Sequence, residues 1–300
     1  MKIAFLCLAH NNYDYLSELS NYCCSDGDGF FLHLDINSSV DKPLDLNEKT
    51  FLLDDNCRKR TRWGTFEIVE ATLELIKLAV SENKYDRYIL ISGSDLPLLN
   101  KYSLKLKLNS EISYFSIWDE VQVSNNRNTS NEFFTRHFYY SSLTNPGEVY
   151  ASKNRFRIHS ARVLNYFISL IPRHQNLTFD KYYKGSQWWC ITNEMAEHII
   201  IESTNQCKDQ FKYMHAPDEK YFITLAMNSI YKKRIKLNYG QASLAQGLHY
   251  INWGWNSPKK ALQVFNLAQV EEAKLIECAF ARKIDVVVNE DYIIYLKSLY

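Results

Sequence analysis

The chain predicts an α/β fold with a mostly parallel central sheet, because strand-like apolar runs alternate with helix-like patterns. Residues 2–9, 30–35 and 86–92 are short runs rich in apolar side chains, as expected of strands covered on both faces. Residues 67–80 repeat apolar side chains at helical spacing, and a second helical stretch begins at Asp14. This alternation favours parallel strands that are joined by helices.

Polar residues follow each of these three strands. His10 follows the first, Asp35 closes the second, and Ser94 and Asp95 follow the third. In parallel sheets, ligands bind beyond the carboxyl ends of the strands. We therefore expect these four residues to lie near one crevice.

Composition and charge exclude several classes of protein. The 300 residues include 35 Lys+Arg and 34 Asp+Glu, which gives a net charge of +1 and leaves no basic excess to neutralise nucleic-acid phosphates. The hydrophobic content of 46%, with only 9 Gly and 6 Pro, excludes disordered and collagen-like chains. The chain can therefore build a sizeable core.

The cysteines and the first residues indicate a reduced, cytoplasmic protein. Seven cysteines without any CxxC spacing predict neither a disulfide framework nor a zinc site. Residues 1–10 fit a buried strand better than a signal peptide, and no apolar run is long enough for a membrane span.

Common nucleotide and hydrolase motifs are missing from the sequence. It contains no GxxxxGK[ST], GxGxxG, HExxH or GxSxG motif. The close acidic pair Asp26-Gly27-Asp28 lies in a Ser/Asp/Gly cluster, which predicts a turn rather than a site for a metal-bound nucleotide.

Five other segments have a specific order and are spread over the whole chain. They are Arg62-Trp63-Gly64, Ser92-Gly93-Ser94-Asp95, Lys184-Gly185-Ser186-Gln187-Trp188-Trp189, Ala216-Pro217-Asp218-Glu219 and Phe280-Ala281-Arg282-Lys283-Ile284-Asp285. Together they resemble the core-2/I-branching family of glycosyltransferases (family 14), which includes β-1,6-N-acetylglucosaminyltransferases and peptide O-xylosyltransferases. The sequence predicts neither a membrane anchor nor disulfides, and in this the chain resembles bacterial-type members of the family. The resemblance implies a GT-A-type, Rossmann-like fold, a UDP-linked donor, and inversion at the anomeric carbon without a metal ion.

The resemblance assigns the general base to Glu219. A helix is predicted to start at Pro217, which would place Glu219 on one stripe with Phe222, Ile223 and Ala226. Acids in a first turn also simply complement the helix dipole, and helical geometry alone does not choose between Asp218 and Glu219.

The donor site follows from the same resemblance. Lys283 matches one of two cations that neutralise the departing diphosphate, and the other is Lys259 or Lys260, with Lys259 favoured. Ser94 and Asp95 stand where metal-dependent relatives carry Asp-x-Asp, and the single carboxylate agrees with metal independence. The remaining expected donor contacts are Asp35, at the nucleoside, and His10 and Arg62.

Acceptor contacts are expected from Gln187, Trp188 and Trp189. The two tryptophans would alternate across a strand over residues 187–192, so at most one of them faces the cleft. His249 and Asn252 stand where related bacterial sequences more often carry Arg and Asp, which leaves the donor sugar open.

No fixed-period repeat or domain linker is visible in the sequence, so we predict one domain over residues 1–300 with three parts. Residues 1–104 would be the nucleotide-binding half, 105–183 a variable acceptor region, and 184–300 the catalytic and diphosphate-binding half.

The leading hypothesis is transfer of N-acetylglucosamine from UDP-N-acetylglucosamine to a glycan hydroxyl, with a β-linkage, in surface polysaccharide synthesis. UDP-xylose, UDP-galactose and UDP-glucose are alternative donors, and a non-catalytic nucleotide-sugar or glycan-binding protein is the alternative of another class. No cofactor and no nucleic-acid partner are expected. Lys153, Arg155 and Arg157 form a basic patch, and its contact with the inner face of a membrane is a further hypothesis.

Overall fold

A seven-stranded, mostly parallel sheet forms the centre of the protein. The computed structural model describes residues 1–38, 45–122, 155–169, 177–212, 214, 216–254, 261–287 and 289–300. In spatial order the strands of the sheet are β10 (Ile235–Tyr239), β6 (Ser113–Ile117), β9 (Cys190–Thr192), β4 (Arg87–Ser92), β1 (Ile3–Ala9), β2 (Gly29–Leu34) and β3 (Thr50–Leu52). Strand β9 is antiparallel to both neighbours, and the other adjacent pairs are parallel. The predicted α/β class is confirmed.

Two smaller sheets lie beside the central one. A four-stranded sheet has the order β11 (Ala245–Gln246), β12 (His249–Ile251), β13 (Phe280–Arg282) and β5 (Asp95–Pro97). The antiparallel pairing of β13 with β5 sets Arg282 opposite Asp95. The third sheet pairs β7 (Asp119–Gln122) with β8 (Lys181–Lys184).

Helices cover both faces of the central sheet. They are α1 (Tyr13–Cys24), α2 (Glu67–Ser81), α3 (Lys101–Leu108), α4 (Arg155–Ser169), α5 (Asn193–Glu202), α6 (Asn205–Phe211), α7 (Tyr221–Met227), α8 (Val270–Leu275) and α9 (Asp291–Lys297). Alternate side chains of β1 enter opposite cores: Leu6 packs with residues of α2, α5 and α7, while Phe5 packs with residues of α1, α3 and α9. Because helices cover both faces of the sheet, β1 is apolar along its whole length.

The observed boundaries of β1, β2, β4 and α2 agree with the ranges predicted from the sequence to within about one residue. The helix that was predicted to start at Pro217 starts later. Residues Pro217–Glu219 form a short 3-10 turn, and α7 begins only at Tyr221. The backbone of Lys220 interrupts the helix (φ −126°, ψ −41°), and its buried side chain turns back to donate to the Ala216 carbonyl at 3.2 Å. Glu219 therefore precedes α7 and does not share its apolar stripe.

The acidic pair near Gly27 has a structural role, as the turn prediction indicated. Residues Ser25–Gly27 form a 3-10 turn. The buried carboxylate of Asp28 accepts hydrogen bonds from the Ile3 N–H at 2.9 Å and from Lys101 Nζ at 2.8 Å. It ties α3 to the first strand.

The predicted basic patch is only partly described. Arg155 is exposed at the start of α4, whereas Lys153 and the side chain of Arg157 lie outside the described residues. Among the described helices, none combines the length and the apolar character that a membrane crossing requires.

Gly185 is required by a close backbone approach. A Cβ at this position would lie 1.8 Å from the Ser116 carbonyl oxygen, so the backbone of β6 would have to move. We expect Gly185→Ala to lower the free energy of unfolding by about 1–3 kcal/mol in urea titrations, the usual cost of overpacking. Gly93→Ala is the control, because its Cβ would meet two side-chain atoms at 3.3 Å and no backbone atom closer than 3.6 Å. Equal losses in the two variants would contradict this explanation.

Candidate active site

A cleft of about 240 Å³ lies beyond the carboxyl ends of β1 and β4. It brings together five residues that the sequence predicted for the site, which are His10, Ser94, Gln187, Trp188 and Lys283. The rule that ligand sites lie at parallel strand ends therefore located this cleft correctly.

Asn11, Thr61, Trp63 and Arg282 also line the cleft, although the sequence did not single them out as site residues. Arg282 directly precedes Lys283, so two cations are adjacent on one wall. No carboxylate is among the described residues that line the cleft. The arrangement suits an anionic ligand.

Asp95 lies beneath the cleft rather than in it. Its fully buried carboxylate accepts hydrogen bonds from the Ser92 N–H (2.7 Å), Ser92 Oγ (3.0 Å) and Arg282 Nη1 (2.6 Å). Burial alone would raise the pKa of Asp95, but Arg282 and His249 outweigh it and hold the pKa below its ordinary value. Both carboxylate oxygens are occupied by groups of the protein, and the expected contact of Asp95 with the donor stays a prediction.

Arg282 is held in place from two sides. Besides Asp95, its Nη1 donates to Ser92 Oγ, and its guanidinium carbon lies 4.3 Å from the centre of the Trp188 ring. The side chain is 20% exposed, so the cation is fixed yet still reaches the cleft. Cation–π contact and a buried counter-charge together restrict its rotamers.

His249 lies against Trp188 and Asp95, the two residues that hold Arg282 in place. Its ring is fully buried between Trp188, at 5.4 Å, and Phe280, at 5.1 Å. Its Nε2 lies 3.4 Å from Asp95 Oδ2, without hydrogen-bond geometry. His249 therefore shapes the cleft floor through Trp188 and Asp95.

Asp35 anchors a loop instead of facing the cleft. Its carboxylate accepts from the N–H of Thr61 at 2.6 Å, from the Thr61 hydroxyl, and from the Asn37 N–H at 2.8 Å. Burial alone would raise the pKa of Asp35, but these hydrogen bonds outweigh it and lower the pKa below its ordinary value. Asp35 thereby positions Thr61 at the cleft, and its expected contact with the nucleoside stays a prediction.

Two more expected contacts are directed elsewhere. Arg62 Nη2 pairs with Glu67 Oε1 at 3.1 Å, outside the cleft lining. Trp189 is 1% exposed and packs in the core against Phe115 and Phe222. Trp188 lines the cleft, so only one ring of the pair faces it. The strand predicted over residues 187–192 is shorter, however: β9 begins at Cys190, and neither tryptophan lies in it. Lys259 and Lys260 lie outside the described residues.

Glu219 lies on a turn that is bonded to two loops of the cleft. The Gly185 N–H donates to the Glu219 carbonyl at 2.7 Å, and the Ala216 N–H donates to the Gly64 carbonyl at 3.0 Å. The same two loops supply Gln187 and Trp63 to the cleft lining. These backbone bonds fix the Glu219 turn relative to the cleft.

The Glu219 side chain is 20% exposed and has a cationic neighbour. Its Oε2 lies 3.4 Å from Lys184 Nζ. Lys184 is the last residue of β8 and is itself half-buried. The carboxylate is therefore oriented by Lys184 and still partly open to solvent.

Asp218 and Lys220 flank Glu219 on the buried side. Burial, and to a smaller extent the Glu219 charge, raise the pKa of Asp218 to about 7. Burial lowers the pKa of Lys220 to about 8, against the attraction of Glu219. Asp218 Oδ1 is buried without a hydrogen-bond partner. Glu219 is thus the more accessible of the two carboxylates.

Asp218 gives the protein a pH-dependent stability. Its carboxyl binds a proton more tightly when folded, so its contribution is present in full below about pH 4 and is lost as the pH rises through about 7. Asp218→Asn cannot ionise. We therefore expect it to gain free energy of unfolding relative to wild type between about pH 5 and about pH 8 in urea titrations. A constant difference across this range would contradict the assignment.

The mixed α/β fold, with its cleft beyond the parallel strand ends, is that of a GT-A-like glycosyltransferase. The family model of the Core-2/I-Branching enzyme matches residues 3–275, so the chain belongs to this family of glycosyltransferases. No curated protein shows significant sequence similarity to the chain. The matched range includes Glu219 and ends before Arg282 and Lys283.

Proposed function

We propose that the protein is an inverting, metal-independent glycosyltransferase that transfers N-acetylglucosamine from its UDP form to a glycan hydroxyl. The observation that carries the metal-independent part of this proposal is the hydrogen bond from the Arg282 guanidinium to the Asp95 carboxylate. Asp95 stands at the strand end where a metal would need a free carboxylate, and its oxygens already bind Arg282 and Ser92.

Arg282 and Lys283 would stabilise the departing diphosphate. Each cation about 4 Å from a phosphate oxygen contributes roughly 4 kcal/mol at an effective dielectric constant of about 20. Arg282 is already oriented by Asp95 and Trp188, so little reorganisation is needed when the charge develops. Two such cations can take the place of a divalent ion.

Glu219 would act as the general base. Its carboxylate accepts the proton of the acceptor hydroxyl while that oxygen forms a bond to the anomeric carbon. The bond from this carbon to the diphosphate oxygen breaks, and its electron pair leaves with UDP. Because the attack occurs opposite the leaving group, an α-linked donor gives a β-linked product. Lys184 orients the carboxylate at 3.4 Å.

The proposed acceptor is a sugar of a surface polysaccharide. The proposed donor is UDP-N-acetylglucosamine, the donor implied by the acetylglucosaminyltransferases of the family. The cleft contacts named above suit the diphosphate, so they support a UDP-sugar without selecting its sugar. The donor is therefore tested directly.

A donor panel tests the proposal. Release of UDP from UDP-N-acetylglucosamine, UDP-xylose, UDP-galactose and UDP-glucose is measured in excess chelator and again with Mn²⁺. We expect slow hydrolysis of UDP-N-acetylglucosamine at the same rate under both conditions. Hydrolysis of another donor alone would overturn the sugar assignment. Activity that chelator abolishes and Mn²⁺ restores would overturn metal independence. Tight binding of UDP-sugars with no release, even with glycan acceptors, would indicate the non-catalytic alternative.

A further inference from the structure

Lys220 directly follows the proposed general base and is buried. Its side chain is 1% exposed, and its Nζ donates to the Ala216 carbonyl at 3.2 Å. Fully buried lysines are rare, because taking an ammonium group out of water costs free energy that an apolar side chain would not cost. Lys220 is not among the residues that line the cleft, so contact with the donor does not account for its charge.

The ammonium group closes the turn that carries Glu219. The Ala216 carbonyl accepts two hydrogen bonds, from Lys220 Nζ and from the Glu219 N–H, each at 3.2 Å. Ala216 has left-handed backbone angles (φ 46°, ψ 61°), which cost an L-residue about 1–2 kcal/mol. The two hydrogen bonds hold the Ala216 carbonyl in this unfavourable conformation.

The backbone of Lys220 joins the same turn to α7. Its N–H donates to the Pro217 carbonyl at 3.0 Å, and its carbonyl accepts from the Thr224 N–H at 3.0 Å in the first turn of α7. The turn is also bonded to a loop of the cleft, because the Gly185 N–H donates to the Glu219 carbonyl at 2.7 Å. A shift of Lys220 would therefore move Glu219 relative to the cleft.

Lys220 is also the buried cation of a charged cluster. The charged groups that face it are Asp218 and Glu219 on the turn and Lys184 at the end of β8. Burial lowers the pKa of Lys220 to about 8, and the Lys184 charge adds to this effect, while Glu219 and Asp218 oppose it. The ammonium group therefore prevails at neutral pH and is lost in mild alkali.

We propose that Lys220 is a positioning residue, whose ammonium group holds the Ala216–Glu219 turn and with it the general base. The inference rests on the proposed function and adds an alkaline limit to the activity. When Lys220 loses its proton, the neutral amine is a weaker donor to the Ala216 carbonyl, and Asp218 and Glu219 lose their buried counter-charge. The turn then relaxes, and Glu219 leaves the position in which it accepts the hydroxyl proton.

The pH dependence of UDP release tests the proposal. Hydrolysis of UDP-N-acetylglucosamine at varied concentrations is followed in excess chelator from about pH 6 to about pH 10. We expect the wild-type kcat to fall by about 10- to 100-fold with a midpoint near pH 8 while KM is unchanged, because displacing a reacting group costs this much. Lys220→Met should show the low rate at every pH. Lys220→Arg, which stays charged, should lack the alkaline fall.

Lys233→Met is the matched control, because Lys233 is exposed on the 3-10 turn Lys232–Arg234. It should keep the rate and the pH profile of the wild type.

Stability should change with pH in the opposite direction to the rate. Folding lowers the pKa of Lys220 from its ordinary value of 10.5 to about 8, so its contribution to the free energy of unfolding is full above about pH 10.5 and is lost as the pH falls through about 8. In urea titrations the wild type should therefore gain stability relative to Lys220→Met between about pH 8 and about pH 10.5. Unfolding does not explain a rate that falls over the range in which this relative stability rises.

Amide hydrogen exchange reports on the turn without any substrate. The Gly185 N–H is bonded to the Glu219 carbonyl, so its protection factor measures how fully the turn is closed. We expect this protection to fall above about pH 8 in the wild type and to be low at every pH in Lys220→Met.

The outcomes separate this inference from the proposed function. Protection of the Gly185 N–H that is equal on both sides of about pH 8 in the wild type overturns the inference, whether or not a donor is hydrolysed. An alkaline fall of kcat that persists in Lys220→Met also overturns it. Protection that falls with pH in a wild type that hydrolyses no donor would refute the proposed function and leave the coupling of Lys220 to the turn in place. If Lys220→Met does not fold, the wild-type profiles decide: a kcat or a protection factor that is constant through about pH 8 overturns the inference.

Discussion

Glu219→Gln is expected to lower the rate of UDP release and of sugar transfer by about 100- to 10,000-fold, the usual contribution of a positioned general base. The amide has the same size as the carboxylate but cannot accept the proton of the attacking hydroxyl. Binding of UDP should be unchanged, because Glu219 does not line the cleft. Steady-state rates and calorimetric titration with UDP separate these two effects.

Asp218→Asn provides the comparison, because the sequence alone does not choose between the two neighbouring carboxylates. Asp218 is buried, whereas the Glu219 carboxylate is partly open and paired with Lys184. We expect the Asp218 variant to lose much less activity than Glu219→Gln. The reverse order would move the base to Asp218.

Arg282→Gln is expected to weaken UDP binding by about 10- to 100-fold, which corresponds to the roughly 1.5–3 kcal/mol of a hydrogen bond to a charged group. The substitution also leaves Asp95 buried without its cation, so we expect a lower melting temperature. Titration calorimetry with UDP and thermal unfolding measure the two losses separately.

A double variant distinguishes a binding role of Arg282 from a purely structural one. Asp95→Asn together with Arg282→Gln removes the unpaired buried charge, so stability should recover relative to Arg282→Gln. Affinity for UDP should not recover, because the cation is still missing. The surface control is Arg234→Gln, since Arg234 is 51% exposed and pairs with Glu111. Recovery of affinity in the double variant would show that Arg282 acts only through the fold.

The sequence predicts the layers well because strand and helix burial follow local periodicity. Strand β1 is apolar throughout since its alternate side chains enter two different cores. The helix at Pro217 was placed wrongly because its interruption depends on the buried side chain of Lys220, and a lysine normally indicates an exposed position.

Only those site residues could be predicted that follow a strand or belong to a segment resembling the family. His10, Ser94, Trp188 and Lys283 meet at the cleft as expected. The sequence did not predict that Asp95 is buried beneath the cleft, because its partner Arg282 is 187 residues away and no local pattern reveals such a pair.

We propose a single displacement that Glu219 drives without a metal. The configuration of the first-formed product tests this mechanism most directly. Hydrolysis of UDP-N-acetylglucosamine in excess chelator is followed by real-time proton NMR, faster than the released sugar equilibrates between anomers. We expect the β-anomer to appear first in the wild type and Glu219→Gln to release almost none. Release of the α-anomer first, or release that requires added Mn²⁺, would contradict it.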